Sequence, residues 1–270
     1  MKQLKTIVAF VAGLFAFTSV QAGEMTVTGS MQATYQSEVD DVTGNPLGMN
    51  TDLTFTGNYD SDFGAITWTM GTDGVFLGES SADHKLSLAT GLGTFTIGNT
   101  GDAADAVDDI TPSAFEEANG SGSGTYSTDI GIGSGTMNLA YSNGDIMGTG
   151  ISVAYNYYPQ LSGQTENEKA ASMTDTQNRE SAESINVGIP FSGLPIIGDS
   201  PIGGAKITLG YSKAETTLAN TQHQEGGTGA IVLPVGPLKI GYQKKAYQAF
   251  GTSAAEAQDG FFKDDIIGIA

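Results

Sequence analysis

Odd and even positions separate cleanly along residues 25–36. In MTVTGSMQATYQ the odd positions Met25, Val27, Gly29, Met31, Ala33 and Tyr35 are apolar or glycine, while every even position from Glu24 to Gln36 is polar. A period of two sends successive side chains to opposite faces, so the stretch predicts a β-strand with one apolar and one polar face. The pattern returns at Leu53, Phe55, Gly57 and Tyr59, at Ile66, Trp68 and Met70, around Leu86 and Leu88, and around Phe95 and Ile97. It continues at Met137, Leu139 and Tyr141, then at Ile151, Val153, Tyr155 and Tyr157. Ile185, Val187, Ile189 and Phe191 follow, then Ala205, Ile207, Leu209 and Tyr211. Residues 229–233, 238–247 and 263–270 bring the expected total to twelve strands. The best helical stretches, 103–107 and 166–172, are short loop pieces.

The connections between these strands alternate in length. Residues 37–50, 73–83, 99–134, 158–182, 215–227 and 248–262 are long, whereas 60–63, 91–93, 144–148 and 234–237 are short and 192–203 is intermediate. A meander with long loops at one end and short turns at the other is the pattern of a transmembrane barrel, and a soluble sandwich has no reason to sort its loops so. The sorting also gives the apolar face a direction. Twelve half-apolar strands need a cover, the chain offers no helices to supply one, and lipid is the simplest cover left. Aromatic residues at strand ends (Tyr35, Tyr59, Tyr141, Tyr157, Phe191, Tyr211) suit interfacial girdles, although strand aromatics also simply pack.

The first residues place this sheet outside the cytoplasm. Lys2 and Lys5 precede the apolar run 7–17, and Val20-Gln21-Ala22 offers a small residue at a cut, so 1–22 is expected to be a cleaved signal peptide. The barrel domain then covers 23–270. Of 11 Lys and Arg against 30 Asp and Glu, the leader removes two bases, leaving 9 − 30 = −21. That surface repels nucleic acid. With no cysteine, neither a disulfide scaffold nor thiolate chemistry is available. Thirty-eight glycines against eight prolines suit many strands and tight turns.

At residues 51–109 the sequence resembles a known family. TDLTFTGNYDSDFGAITWTMGT, then HKLSLATGLGTFTIGNTGDAADAVDD, are similar to the N-terminal third of Gram-negative general diffusion porins of the trimeric, sixteen-stranded kind. There a strand pair around a DFG-like turn precedes a G-LG-F-IG hairpin, and the fifth strand leads into a third loop that folds into the barrel. The resemblance covers 23–109 and again FFKDDIIGIA at 261–270, and it rests on strand and turn chemistry. It implies an all-β, transmembrane, antiparallel up-and-down barrel in the outer membrane, contacting lipid and lipopolysaccharide, assembling as a homotrimer and passing small hydrophilic solutes. Two departures stand out. Family members close on an aromatic residue whereas this chain ends in Ile269-Ala270, and twelve strands leave four of sixteen unaccounted for. The expectation is a chain truncated at its C-terminus, with a complete twelve-stranded barrel as the alternative, since even strand numbers are permitted.

The resemblance locates a site. Segment 99–134 takes the place of the inward constriction loop, and it carries Asp102, Asp105, Asp108, Asp109, Glu116 and Glu117 with no base. In the family, acids on this loop face basic wall residues. By parity Lys85, Lys206, Lys239 and Lys245 lie on the polar faces of their strands and are the candidate counter-charges, while Arg179, the sole arginine, falls in a loop. The excess of acids predicts a preference for cations. A solvated loop is the bland alternative for these acids.

Other chemistries have weaker footing. Glu38, Asp40 and Asp41, or Asp105, Asp108 and Asp109, are acidic clusters able to attract Ca²⁺, but neither has the D-x-D-x-D-G spacing of a built loop, and no cofactor is expected. An outer-membrane lipid hydrolase would need a histidine beside a serine; His84 and Ser87 take opposite faces of one strand and His223 sits in a polar loop. No G-x-S-x-G or H-E-x-x-H occurs, and the glycine runs at 120–124 and 131–135 lack the lysine and helix of a phosphate cradle, so the chain is not expected to be an enzyme. A soluble, secreted, adhesin-like β protein is the remaining class.

Overall fold

The structure is a computed structural model that describes residues 24–35, 47–72, 84–107, 110–112, 137–161, 179–194, 198, 202–216, 223–248 and 262–270. The expected signal peptide, Glu38, Asp40 and Asp41, Asp108 and Asp109, and Glu116 and Glu117 lie outside them. The chain divides into two compact units, Met1–Gly91 and Leu92–Ala270. Unit 1 holds β1 (Glu24–Tyr35), β2 (Leu47–Ser61), β3 (Gly64–Thr72) and β4 (His84–Thr90). Unit 2 holds β5 (Gly93–Gly98), β6 (Asn138–Asn143), β7 (Ser152–Tyr158), β8 (Arg179–Pro190), β9 (Lys206–Thr216), β10 (Gln224–Val235), β11 (Leu238–Gln248) and β12 (Phe262–Ile269). Strand order in the twelve-stranded sheet is sequence order. The expected all-β, antiparallel, up-and-down architecture is therefore the observed one.

Local chemistry explains the turns. At the β2–β3 turn Ser61 Oγ donates to Gly64 O at 2.7 Å and accepts from Phe63 N at 3.3 Å. Gly64 has φ 143°, and a Cβ there would run into Ala89 O, so only glycine fits. In the two-residue turn between β10 and β11, Gly236 supplies the left-handed conformation with φ 61°.

The strands run further than their alternation of hydrophobicity suggests, chiefly at the long-loop end. β2 starts at Leu47, inside the stretch expected to be loop. β8 starts at Arg179, which is therefore a strand residue and not a loop residue, and it ends at Pro190, with Phe191 in a 3-10 turn, Phe191–Gly193. β9 reaches Thr216 and β10 starts at Gln224, so the expected long loop 215–227 shrinks to 217–223, shorter than the connection 191–205 at the opposite end. The sorting of loop lengths fails there, and 191–205 is also longer than 36–46, 73–83 and 249–261 at the long-loop end. The reason is chemical: Ser181 and Glu183 on β8, and Lys213 and Glu215 on β9, occupy the parity that is apolar nearer the short turns. Where the apolar parity turns polar, backbone pairing continues without the alternating hydrophobic signature.

The two faces of the unit 2 strands have the opposite burial from a soluble sheet. Asn138, Asn156, Ser184, Thr208, Ser212, Gln224, Thr228, Gln243 and Lys245 are buried, and each lies on the polar parity of its strand. The apolar parity is open, with Leu209 45% and Ile267 74% exposed. In unit 1, β1 likewise leaves Met25 65% and Val27 52% exposed. Large apolar areas are rarely left to water in this way, and a contiguous one marks a surface that meets another apolar phase.

Candidate functional site

The polar face of unit 2 is buried because the chain leaving β5 lies across it. Thr100 Oγ1 donates to Asn138 Oδ1 on β6 at 2.7 Å and accepts from Asn156 Nδ2 on β7 at 2.6 Å. Tyr158 OH on β7 donates to Gly101 O. Ala103 is held at both backbone atoms by β8: its N–H donates to Ser184 Oγ at 3.1 Å and its carbonyl accepts from Asn186 Nδ2 at 2.6 Å. A 3-10 turn, Asp105–Val107, then closes with Val107 N donating to Ala104 O at 3.0 Å. Gln243 on β11 donates from Nε2 to Val107 O at 2.8 Å and to Thr228 Oγ1 on β10 at 3.0 Å. Wall side chains thus satisfy Gly101 O, both backbone groups of Ala103 and Val107 O, as a chain buried without a ladder requires.

Wall glycines make room for it. A Cβ on Gly210 of β9 would meet the Val107 side chain, one on Gly241 of β11 would meet Pro112 Cδ, and one on Gly268 of β12 would meet Pro112 O. All three glycines fall on the polar parity of their strands. The segment therefore steps from β6 to β12 in order, seated in a shallow groove of missing side chains. Changing Gln243→Ala is expected to lower unfolding stability by about 1–3 kcal/mol, because Val107 O loses its partner while buried; urea titrations in detergent would measure it.

Among the candidate site residues, Asp102 and Asp105 ride on this segment. Asp102 Oδ1 accepts from Ala104 N at 2.9 Å, which fixes the bend, and Asp105 is exposed at the start of the 3-10 turn. The four lysines lie on the polar parities of their strands, at different positions along them. Lys85 is half-buried on β4 in unit 1, paired in register with Thr69. Lys245 is 2% exposed, between Thr228 on one side and Asp264 on the other in the register. Lys206 and Lys239 are exposed and lie nearer the short turns. The acid beside Lys245, Asp264, and the anchors Asn138, Asn156, Ser184, Asn186 and Gln243 were not singled out from the sequence. Their signal was present as polar parity in the later strands, where a wall residue and a loop anchor look alike.

The open face carries a repeated order. From the short-turn end, β9 presents Ile207, Leu209, Tyr211 and Lys213, and β11 presents Leu238, Ile240, Tyr242 and Lys244. These are not level in the register. Lys244 pairs with Gly229, which pairs with Leu209, so the first charge slips by 213 − 209 = 4 residues from β9 to β11. The segment that lies across the polar face slips equally on that face. Gly241, beneath Pro112, pairs with Val232, which pairs with Lys206; Val107 sits over Gly210, and 210 − 206 = 4. Tyr157 of β7 pairs through Glu183 with Lys213, a slip of 213 − 211 = 2 residues relative to Tyr211.

Of the remaining polar groups, His223 Nδ1 lies 2.6 Å from Glu215 Oε2, and Lys213 Nζ lies 2.7 Å from Glu215 Oε1. On the open face of β11 and β12, Lys244 Nζ lies 3.0 Å from Asp265 Oδ1, and Tyr242 OH donates to the same carboxylate. Among the described residues no group of three or more acids and histidines is arranged to hold a metal ion.

No family model matches the chain, and neither does any curated protein. Among solved structures it is similar to a porin refined at 1.8 Å resolution, at 14% identity over 91% of this chain and 77% of that one, with a TM-score of 0.46. It is similar to OmpF of Salmonella typhi in complex with daunomycin, at 14% identity over 85% and 67% of the two chains, TM-score 0.44. OmpT, an outer membrane protein of Vibrio cholerae in its trimer form, matches at 14% identity over 92% and 84%, TM-score 0.38.

Proposed function

We propose that the chain is a porin-type channel of the outer membrane, a barrel wall whose open apolar face meets lipid and whose polar face lines a path for small hydrophilic solutes and ions, narrowed by the segment 99–112. The observation that carries this reading is the reversal of burial: polar residues are buried beneath an inward segment while leucines, isoleucines and tyrosines of the other parity are left open. A soluble secreted sheet would hide that apolar parity first. The parallel slip on the two faces adds a geometric argument. Four residues along a strand are about 13 Å and two strand spacings about 10 Å, so a line drawn level through either feature crosses the strands at roughly 50° to the register rows. Strands of outer-membrane barrels are inclined by about 35–45°, close to this figure. On this reading the tyrosines and the inward segment each follow the plane of the bilayer.

Asp102 and Asp105 on the segment, within a chain of large negative charge, point to passage of cations over anions. The resemblance of 23–109 to trimeric porins extends the proposal to a homotrimer. The test is reconstitution of the full chain in planar bilayers with a KCl gradient. The expected reversal potential has the sign of K⁺ preference, and Asp102→Asn with Asp105→Asn moves it toward zero. Absence of discrete conductance steps, or solubility without detergent after cell fractionation, would overturn the channel; a potential of Cl⁻ sign would overturn the selectivity alone.

A further inference from the structure

We infer that Lys206 and Lys239 form a basic mouth on the short-turn side of the segment, where unit 2 attracts polyanions. The inference rests on the channel reading above. On β9, Lys206 lies four residues toward the short-turn end from Gly210, where Val107 is seated (210 − 206 = 4). On β11, Lys239 lies two residues toward the same end from Gly241, where Pro112 is seated (241 − 239 = 2). Both lysines are exposed and both take the polar parity. Lys245 lies four residues beyond Gly241 in the opposite sense and is buried, so the segment separates it from the other two.

The surroundings leave the two ammonium groups unopposed by strand acids. Below the segment, the polar-parity positions of β7 to β11 are Ser152, Ala154, Gly188, Pro190, Thr208, Ala230, Val232 and Pro234 besides the lysines, with no acidic side chain among these described residues. Asp145, in the turn between β6 and β7, is committed through Oδ1 to Gly150 N at 2.6 Å. Lys206 reaches along the wall: a Cβ on Gly188 of β8 would lie 2.9 Å from its Cε and 3.2 Å from its Nζ. Its ammonium is thereby spread over the polar face toward β8, while Lys239 holds the β11 side. The result is axial polarity, with acids on the segment and bases beyond it. Two cations on a low-dielectric wall raise the local concentration of multivalent anions.

Tripolyphosphate is the probe. The full chain is inserted in planar bilayers in about 0.1 M KCl, where the Debye length is about 10 Å. The chain has no cysteine, so Met147→Cys, in the exposed β6–β7 turn, gives a single thiol by which a charged reagent in one chamber reports which side holds the short turns. Tripolyphosphate added on that side is expected to reduce the current at concentrations about tenfold lower than from the other side, and Lys206→Gln with Lys239→Gln to abolish the difference. Lys213→Gln, on the open face, leaves it in place. Equal block from both sides, or a side preference that survives in the double variant, overturns the inference while leaving the channel intact; loss of channels in the wild-type chain overturns the channel reading itself.

Discussion

An arginine at position 209 is expected to cost about 2–4 kcal/mol of folded stability in a bilayer, as cations on the lipid face of a barrel do near the midplane. Leu209 is 45% exposed on the open face of β9, between Ile207 and Tyr211. In water such an exposed site would tolerate arginine within about 0.5 kcal/mol. Position 244 makes the comparison sharp. Leu209 and Lys244 both pair with Gly229, so they share one row and one face of the sheet. Were rows parallel to the membrane plane, the two would sit at equal depth, and Lys244→Leu would stabilise the protein about as much as Leu209→Arg harms it. The slip of four residues instead lifts Lys244 to the level of Lys213, above the tyrosines, where its ion pair with Asp265 is wetted. Lys244→Leu should therefore leave the unfolding midpoint nearly unchanged. Urea titrations of the chain folded into lipid vesicles, read from the shift between folded and unfolded forms on unheated gels, give both values. A Leu209→Arg chain as stable as wild type would remove the lipid from the account of this face.

The same residues show what the sequence made legible and what it hid. Strict alternation over 25–36, 151–157 and 205–211 named strands and their faces correctly, because one face of each is uniformly apolar. It failed to give their ends. At the start of β8 and the 213–216 end of β9 the parity that is apolar elsewhere carries Arg179, Ser181, Glu183, Lys213 and Glu215, so no apolar periodicity marks them, although the backbone ladder continues. That 100–107 lies across the polar face of unit 2 has no mark in its own residues, since its acids would look the same in a solvated loop. Its anchors were not readable at all. Ser184, Asn186 and Gln243 are what any water-lined wall would show, and only the fold reveals that they are spent on Ala103 and Val107. Parity also set four lysines on the polar parities of their strands but could not give their level relative to one another, because that depends on the register between strands, which alternation does not carry. Lys245 shows the consequence: it is on the expected face, yet buried, with Asp264 beside it in the register.

Gly210→Ala is expected to destabilise the chain by about 1–3 kcal/mol, the usual range for an overpacked core position. The added methyl meets the Val107 side chain and lies 3.0 Å from Thr228 Cγ2. Val107 cannot simply withdraw, since it is 2% exposed, its carbonyl is bonded to Gln243 and its N–H closes the 3-10 turn on Ala104. The strain must therefore lift the segment from the wall or bend β9, and a lifted segment changes the width of the path. Removing the side chain from the other partner distinguishes these outcomes. In the double variant Gly210→Ala with Val107→Gly, the new methyl fills part of the space the valine leaves. The two changes should then be non-additive by about 1 kcal/mol or more, as contacting residues are. Single-channel conductance should follow the same cycle: altered in Gly210→Ala, and restored toward the wild-type value in the double variant. Strict additivity in both stability and conductance would mean that Val107 is not seated at Gly210 in the membrane, and the inward course of the segment across β9 would have to be abandoned.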